Sequence, residues 1–516
     1  DGTHDSVHGT IELDLRTDPL YKHAWHLDNT GQTNFATNAA TTGVDLNIKA
    51  DIGTGLDGVG IVVAVVDSGL EIAHEDLAPN ILSGRSWDFL SGDRDPTNPS
   101  LTGDHGTSVA GIIAADAYNK IGSRGVAPAV SLMGSNLLKS SGEFNEGLAL
   151  GYGNHTGFSQ NLNDIVDIFN MSYGVGIPRD LEEGDTWGYG GNTPSNYKKK
   201  FLYAGVSDLR DSTGAIYVKS SGNDWRYYDG TSYIYCGPNK GTDSKSDNMP
   251  CGDAALDTRH SLPYAIVTGA VNADDVRSSY STPGAALWVS SFGGEYGSTY
   301  PAIMSTDQSS CFKGYVRSGK FSSNDFNNQG LNSENKNCNY TSSMNGTSAA
   351  APNLSGVIAL MLQANSALTW RDVKHILATT SKQIDSTNSK IYNEIEQYSW
   401  VTNTAGHKHH PWYGFGRVDG GAAISAAKAY TSGSLGTFTG SEKSSYVKDA
   451  DDDTAVLTID SNTTNIWPFT QSTIGSSDFI EFVTLSFELS HTIPQDMGIT
   501  LTSPSGTTVR VFMPFT

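Results

Sequence analysis

Three polar residues in this 516-residue chain stand in contexts that suit one reaction. Asp67 ends the apolar run GIVVAVVD. His105 lies in GDHGTSVAG, where a Gly-Thr turn opens a helical pattern, and Ser348 lies in MNGTSAAAP at the start of another. A serine hydroxyl is a weak nucleophile at neutral pH, so acyl transfer needs an imidazole to take its proton. The imidazole needs a carboxylate to fix its tautomer and stabilise the imidazolium. A helix N-terminus adds backbone N–H groups and a positive dipole end beside the reacting carbonyl. Taken singly, a strand-end Asp is most often a turn former, and a helix-start His or Ser is most often a cap. All three in one chain, each with its full local context, point to a nucleophile, its base and the acid that orients the base.

The elements that must position them alternate between residues 60 and 380. GIVVAVVD (60–67), DIFNMS (167–172), AIYVKSS (215–221), YAIVTGAVN (264–272) and ALWVSSF (286–292) are nearly continuous apolar runs, as in strands buried on both faces of a parallel sheet. HGTSVAGIIAADAY (105–118), TSAAAPNLSGVIALMLQA (347–364) and WRDVKHILATTS (370–381) read as helices. The sum is an α/β fold, a mostly parallel sheet with helices on both faces. Residues 181–198 and 297–342 carry Gly, Asn, Ser and Tyr without periodicity and read as long loops. After Tyr430 the pattern changes. Residues 431–447 read as a small-residue linker, and 448–516 hold only strand-like runs, TAVLTID, FIEFVTLSFELS, MGITLTS and TVRVFM, separated by turn signals. The expected division is a catalytic domain over 1–430, the linker, and an all-β sandwich over 448–516 that is incomplete at its C-terminus.

Composition narrows the partners. Lys and Arg number 33 against 55 acidic residues, a net charge of −22 that repels phosphate backbones and anionic membranes, so no nucleic-acid partner is expected. No apolar run approaches the ~18 residues of a membrane span. Four cysteines fall into two local pairs, Cys236 with Cys251 and Cys311 with Cys338. Neither pair has the spacing of zinc ligands, whereas two disulfides in an oxidising compartment suit so sparse and even a count. The first residues have neither an initiator Met nor an apolar signal core, so a removed leader and secretion are expected.

The chain resembles the subtilases, and within them the kexin/furin group. The resemblance runs from DPLYKHAWHLDNTGQ to YGFGRVDGGAAI (413–424) and is carried by the order Asp67, His105, Ser348 and by GTSAAAP, TWRDVKHIL and AIYVKSSGN. It resumes in DFIEFVTLSFELSHT and LTSPSGTTV, which look like the P-domain that follows the catalytic domain in that group. It implies a secreted serine endopeptidase acting on protein or peptide substrates as a monomer. By likeness, Asn223 in SSGN matches the oxyanion-hole asparagine, whose amide joins the Ser348 N–H, a donor worth roughly 3 kcal/mol in the transition state. Ser172, Tyr173 and Gly174 match the segment whose backbone pairs with the substrate and walls the pocket for the residue before the scissile bond, the S1 pocket. Ca²⁺ is the implied cofactor: Asn119, with the carbonyls of Ala117, Ile121 and Ser123, matches the metal loop after the histidine helix, and Asp76 and Asp18 match its carboxylate ligands. A capping role suits either Asp alone. Subtilases generally need a propeptide, and residues 1–17 are too short and polar to serve, so a separate folding helper is expected.

The chain also departs from the kexin pattern. Ser68 replaces the second carboxylate after the catalytic aspartate, VGIPRDLEE follows Gly174 in place of an acidic run with Asp180 as stand-in, and Thr282 takes the place of a second-site calcium glutamate. Cys251-Gly252-Asp253 resembles the segment that supplies the other S1 aspartate, which makes Asp253 the candidate for holding a basic side chain; otherwise it is a turn residue. Preference for Lys or Arg before the scissile bond is the leading expectation. A broad-specificity subtilisin is the rival, and an inactive binding protein on this scaffold is a further alternative that intact Asp67, His105, Ser348 and Asn223 argue against.

Overall fold

The computed structural model describes residues 18–51, 54–103, 105–140, 142–153, 165–174, 196–228, 233–235, 250–318, 324–329, 331–387, 390–392, 395–438, 481–483, 499–503 and 505–512. Its centre is a seven-stranded sheet whose pairings are all parallel. The strands are β1 (Val62–Asp67), β2 (Trp87–Asp88), β3 (Ser131–Asn136), β4 (Ile168–Met171), β5 (Ile216–Ser220), β8 (Ala265–Val271) and β9 (Val289–Phe292); β6 (Arg226–Tyr228) and β7 (Tyr233–Tyr235) form a separate antiparallel pair. The sheet order is β2-β3-β1-β4-β5-β8-β9. Chain direction across the sheet reverses at β1, and the carboxyl ends flanking such a switch point form a natural crevice. Asp67 is the last residue of β1, paired with Asn136 of β3.

Six helices are described: α1 (His105–Ala114), α2 (Glu143–Ala149), α3 (Asn196–Asp208), α4 (Thr347–Ala364), α5 (Trp370–Thr380) and α6 (Gly420–Ala429). α4 is buried over nearly its whole length and packs on β4, β5, β8 and β9. Such a helix needs apolar residues all round, which TSAAAPNLSGVIALMLQA supplies. α5 starts with a capping box in which Thr369 and Asp372 satisfy each other's backbone N–H groups. One large apolar core, including Trp25, Phe169, Tyr217 and Phe292, spans both sides of the sheet.

Two expectations change. The helix read over 105–118 stops at Ala114: the carbonyls of Ile112 and Ile113 accept from the N–H groups of Val126 and Ala127, and Tyr118, Lys120 and Gly122 take left-handed backbone angles in the loop that follows. The stretch 297–342 is not a bare loop. It contains β10 (Ile303–Thr306) and the start of β11 (Tyr340–Met344), an antiparallel pair, and Met304, Phe326 and Tyr340 form with Leu20 a small core of their own. β10 also fastens to α1: Ser108 Oγ donates to the Thr306 carbonyl at 2.7 Å, and Ser305 Oγ donates to the Ser108 carbonyl at 2.6 Å. Of the other expected loop, 181–198, residues 181–195 lie outside the described residues, whereas 196–198 belong to α3.

Three further antiparallel pairs follow: β12 (Lys390–Tyr392) with β13 (Ile395–Tyr398), β14 (Val401–Thr402) with β15 (Lys408–His409), and β16 (Ile499–Thr502) with β17 (Thr508–Phe512). The last is a C-terminal hairpin of the all-β kind expected there. The runs TAVLTID and most of FIEFVTLSFELS lie outside the described residues.

Candidate active site

Asp67 ends β1, His105 opens α1, and Ser348 lies in the first turn of α4, which packs against α1. Asp67 is fully buried, and its Oδ1 accepts from His105 Nδ1 at 2.7 Å and from the Ser68 N–H at 2.6 Å. That bond assigns the proton to Nδ1 and leaves Nε2 of the imidazole basic. The side chain of His105 is 31% exposed while that of Asp67 is closed off, so the acid can orient the base without meeting substrate. Gly106 makes the approach possible: a Cβ there would fall 1.9 Å from the Gly69 carbonyl oxygen.

Ser348 is the second residue of α4, after the N-cap Gly346 at φ +94°. A side chain at 346 would be strained at that angle and would sit 3.1 Å from Asn223 Nδ2. The Ser348 hydroxyl donates to the Ser172 carbonyl at 3.0 Å, and Ser172 Oγ donates back to the Ser348 carbonyl at 3.0 Å. The Ser348 carbonyl is available because its ordinary helical partner would be the N–H of residue 352, which is proline. Asn223 follows the Gly222 turn beyond β5. Its Oδ1 accepts from the Thr347 N–H at 2.9 Å and from Thr347 Oγ1 at 3.0 Å. With the oxygen so held, the amide nitrogen points its donors away from Thr347, as an oxyanion site beside the Ser348 N–H requires.

The expected substrate wall, Ser172-Tyr173-Gly174, continues from β4 directly against Ser348. Asn170 Nδ2 donates to Ser172 Oγ at 2.9 Å and steadies it. Ser68 sends its backbone N–H to Asp67, and its hydroxyl is buried. Asp253 is 1% exposed and caps a short 3₁₀ helix, its Oδ1 accepting from the Ala255 N–H at 2.8 Å. Asp180 lies outside the described residues. One carboxylate beside the wall is a residue that sequence reasoning missed: a Cβ on Gly174 would lie 3.8 Å from Asp257 Oδ2 and 3.7 Å from Lys219 Nζ. The lysine inside the apolar run AIYVKSS was a visible signal, since a charge at a doubly buried strand position demands a partner.

The loop after α1 brings Asp18, Asp76 and Asn119 together. Asp18 Oδ2 accepts from the Tyr118 N–H at 3.0 Å, and Asn119 Nδ2 donates to Asp76 Oδ1 at 2.7 Å. Asp18 Oδ1 and Asp76 Oδ2 are buried without a hydrogen-bond partner among the described residues. Burial raises both carboxyls, Asp76 to about 8, and each is raised in an environment that a cation would relieve. Gly122 shapes the cradle, since a Cβ there would lie 2.1 Å from Asp76 Oδ2. Hard oxygen donors of this kind, two carboxylates with Asn119 and the loop carbonyls of Ala117, Ile121 and Ser123, fit Ca²⁺ rather than a softer metal. No group of three His, Cys, Asp or Glu side chains forms a metal site among the described residues. Cys311 and Cys338 are joined, with Cα atoms 5.0 Å apart; Cys251 is also disulfide-bonded, and Cys236 lies outside the described residues.

A parallel α/β sheet that offers an acid at a strand end, and a histidine and a serine at two helix starts, defines the subtilisin-like class. The chain belongs to the subtilase family, whose model matches residues 58–416. It is 34% identical to the Aeromonas extracellular serine protease of Aeromonas sobria over 423 residues, which cover 79% of this chain and 64% of that protein. It is 29% identical to kexin of Saccharomyces cerevisiae over 420 residues, covering 80% of this chain and 40% of that one. The crystal structure of the Aeromonas sobria serine protease superposes with a TM-score of 0.69 at 33% identity, covering 81% of this chain and 68% of that chain. A second crystal structure holds that protease in complex with the chaperone ORF2, with a TM-score of 0.68 at 33% identity over the same shares of each chain. The chain thus spans less than two thirds of the length of the Aeromonas relatives it matches, 64% and 60%.

Proposed function

We propose that the protein is a secreted serine endopeptidase. The observation that carries this reading is the hydrogen bond from His105 Nδ1 to Asp67 at 2.7 Å, made in a crevice where Ser348 and Asn223 are tied together through Thr347. In the reaction, Ser348 Oγ attacks the peptide carbonyl carbon and its proton passes to His105 Nε2. The carbonyl becomes an oxyanion that accepts from Asn223 Nδ2 and the Ser348 N–H. Collapse of the tetrahedral species breaks the C–N bond, and the imidazolium gives its proton to the leaving amine. Water, deprotonated by the same imidazole, then hydrolyses the acyl-enzyme. Asp67 keeps the imidazole in the productive tautomer throughout.

Substrate binds as an extended strand along Ser172-Tyr173-Gly174, and its carboxyl-side specificity is for Lys or Arg before the cut. Kexin among the relatives and the buried carboxylates Asp253 and Asp257 support this. A second reading, broad specificity, is favoured by the pairing of Asp257 with Arg259 at 2.7 Å and by the capping role of Asp253. Ca²⁺ bound by Asp18, Asp76, Asn119 and the carbonyls of Ala117, Ile121 and Ser123 holds the loop after α1. Residues 1–430 form the catalytic domain and 448–516 a β-sandwich joined through 431–447. The Aeromonas sobria complex with a chaperone supports a separate folding helper here too, and the extracellular relative supports secretion. Cleavage-site profiling on a random peptide library tests the whole reading. Sites concentrated after Lys and Arg are expected, whereas an unselective profile would favour the second reading and no cleavage would refute both.

A further inference from the structure

Lys219 lies in the middle of the sheet and is completely buried. Its Nζ donates to the carbonyl of Tyr173 and, at 3.1 Å, to that of Ser220, and it lies 3.7 Å from Asp257 Oδ2. Arg259 grips the same carboxylate with two bonds, at 2.8 and 2.7 Å, and holds Glu146 at 2.7 Å. The Tyr173 ring packs against both cations, 5.3 Å from Lys219 Nζ and 5.1 Å from the Arg259 guanidinium, and its hydroxyl reaches Glu146 at 3.4 Å. His260 approaches Asp257 at 3.8 Å but is held neutral, its pKa lowered to about 4 by burial. Among the described residues, two cations therefore balance two carboxylates directly behind Tyr173 and Gly174. Removing Lys219 would leave this cluster with one net negative charge, facing the backbone that adjoins Ser348.

We propose that Lys219 is a specificity-determining residue: it neutralises Asp257 behind the substrate wall and so weakens selection of a cationic side chain before the scissile bond. The inference rests on the peptidase reading above. A side chain entering beside Gly174 approaches the Lys219–Asp257 pair, because even a methyl group on Gly174 would stand within 4 Å of both. One unit charge acting at roughly 10 Å through an effective dielectric of about 20 changes an equilibrium about tenfold. Lys219 thereby acts through Asp257 and need not touch substrate.

The test compares two peptides that differ only in Arg or Leu before the cut and follows the ratio of their kcat/KM values. Lys219→Met should raise the Arg/Leu ratio about tenfold, and adding Asp257→Asn should return it to the wild-type value or below. The unaltered protein supplies a second arm. Burial lowers the Lys219 pKa to about 8, so its charge is lost as pH rises through that value. Its other neighbours hold their charge across this range: Asp257 is lowered by its cations, Arg259 and Tyr173 are raised, and His260 is already neutral. Titration of the catalytic imidazole affects both peptides alike and cancels in the ratio. The ratio should therefore rise between pH 7 and 9.5 in wild type and stay flat in Lys219→Met. A ratio unmoved by pH in wild type, with both peptides cleaved, would overturn the proposal even if the variant failed to fold. Hydrolysis of neither peptide would instead overturn the peptidase reading, and the inference with it.

Discussion

At the scale of single residues, neighbouring atoms hold separable tasks in the proposed reaction. Ser348 would carry the nucleophile, and in the resting structure its hydroxyl donates to the Ser172 carbonyl at 3.0 Å. Ser348→Ala should therefore lower turnover by about 10⁶-fold while shifting the melting temperature little, since one partly exposed hydrogen bond contributes only about 1 kcal/mol. Circular dichroism melts alongside peptide hydrolysis check both halves, and retained turnover would refute the role. In the proposed reaction Asn223 acts later, when the carbonyl oxygen becomes an anion. Asn223→Ala should reduce kcat by about 10²–10³ with KM nearly unchanged, because the lost donor serves the transition state alone. An equal effect on KM would mean that Asn223 binds ground-state substrate instead.

At the scale of elements, the loop after α1 is where chemistry and folding meet. Asp18 and Asp76 are both buried, and burial raises both carboxyls, so ionising them opposes folding and a bound cation, as proposed, would relieve that cost. Chelation should lower the melting temperature by several degrees, since a ligand at a hundredfold excess over its Kd stabilises by about 2.7 kcal/mol. Asp76→Asn should remove most of that response to calcium, and a melting curve indifferent to chelator in the unaltered protein would count against the site. The elements differ in how clearly the sequence announced them. β1, β4, β5, β8 and β9 were legible because strands buried on both faces need unbroken apolar runs, and α4 was legible to its end residues. β3 was missed, since SLMGSN carries polar groups that find partners only in three dimensions: the Gly134 N–H donates to Ser86 Oγ and Asn136 Nδ2 donates to Asp88 Oδ2. Asp67, His105 and Ser348 could be read because each stands beside a turn or cap with its own local signature. Asp257 could not, because its importance comes from Arg259, Lys219 and Glu146, and two of these lie far from it in sequence.

At the scale of the whole molecule, the C-terminal segment is fastened to the family fold at α5. Arg371 forms an ion pair with Glu481 and donates to the carbonyls of Leu435 and Gly436, while the Lys374 ammonium lies 5.4 Å from the ring of Phe482. Arg371→Ala alone should cost about 1–3 kcal/mol, because the Arg371 side chain is only 10% exposed and the carbonyls of Leu435 and Gly436 lose their donor along with Glu481. Deleting everything after Tyr430 removes all these contacts at once and uncovers the aromatic face that Phe438 covers on Trp370. The truncated chain should melt at a clearly lower temperature; an unchanged melting point with full activity would make the catalytic domain self-sufficient. The proposed reaction requires one activated serine, and an activated serine can be read directly. A fluorophosphonate probe applied to the folded protein, followed by peptide mass mapping, should label Ser348 at close to one equivalent and leave the other serines untouched. His105→Ala should lose that labelling. Absence of label at Ser348 in protein that shows a cooperative melting transition would contradict the central claim.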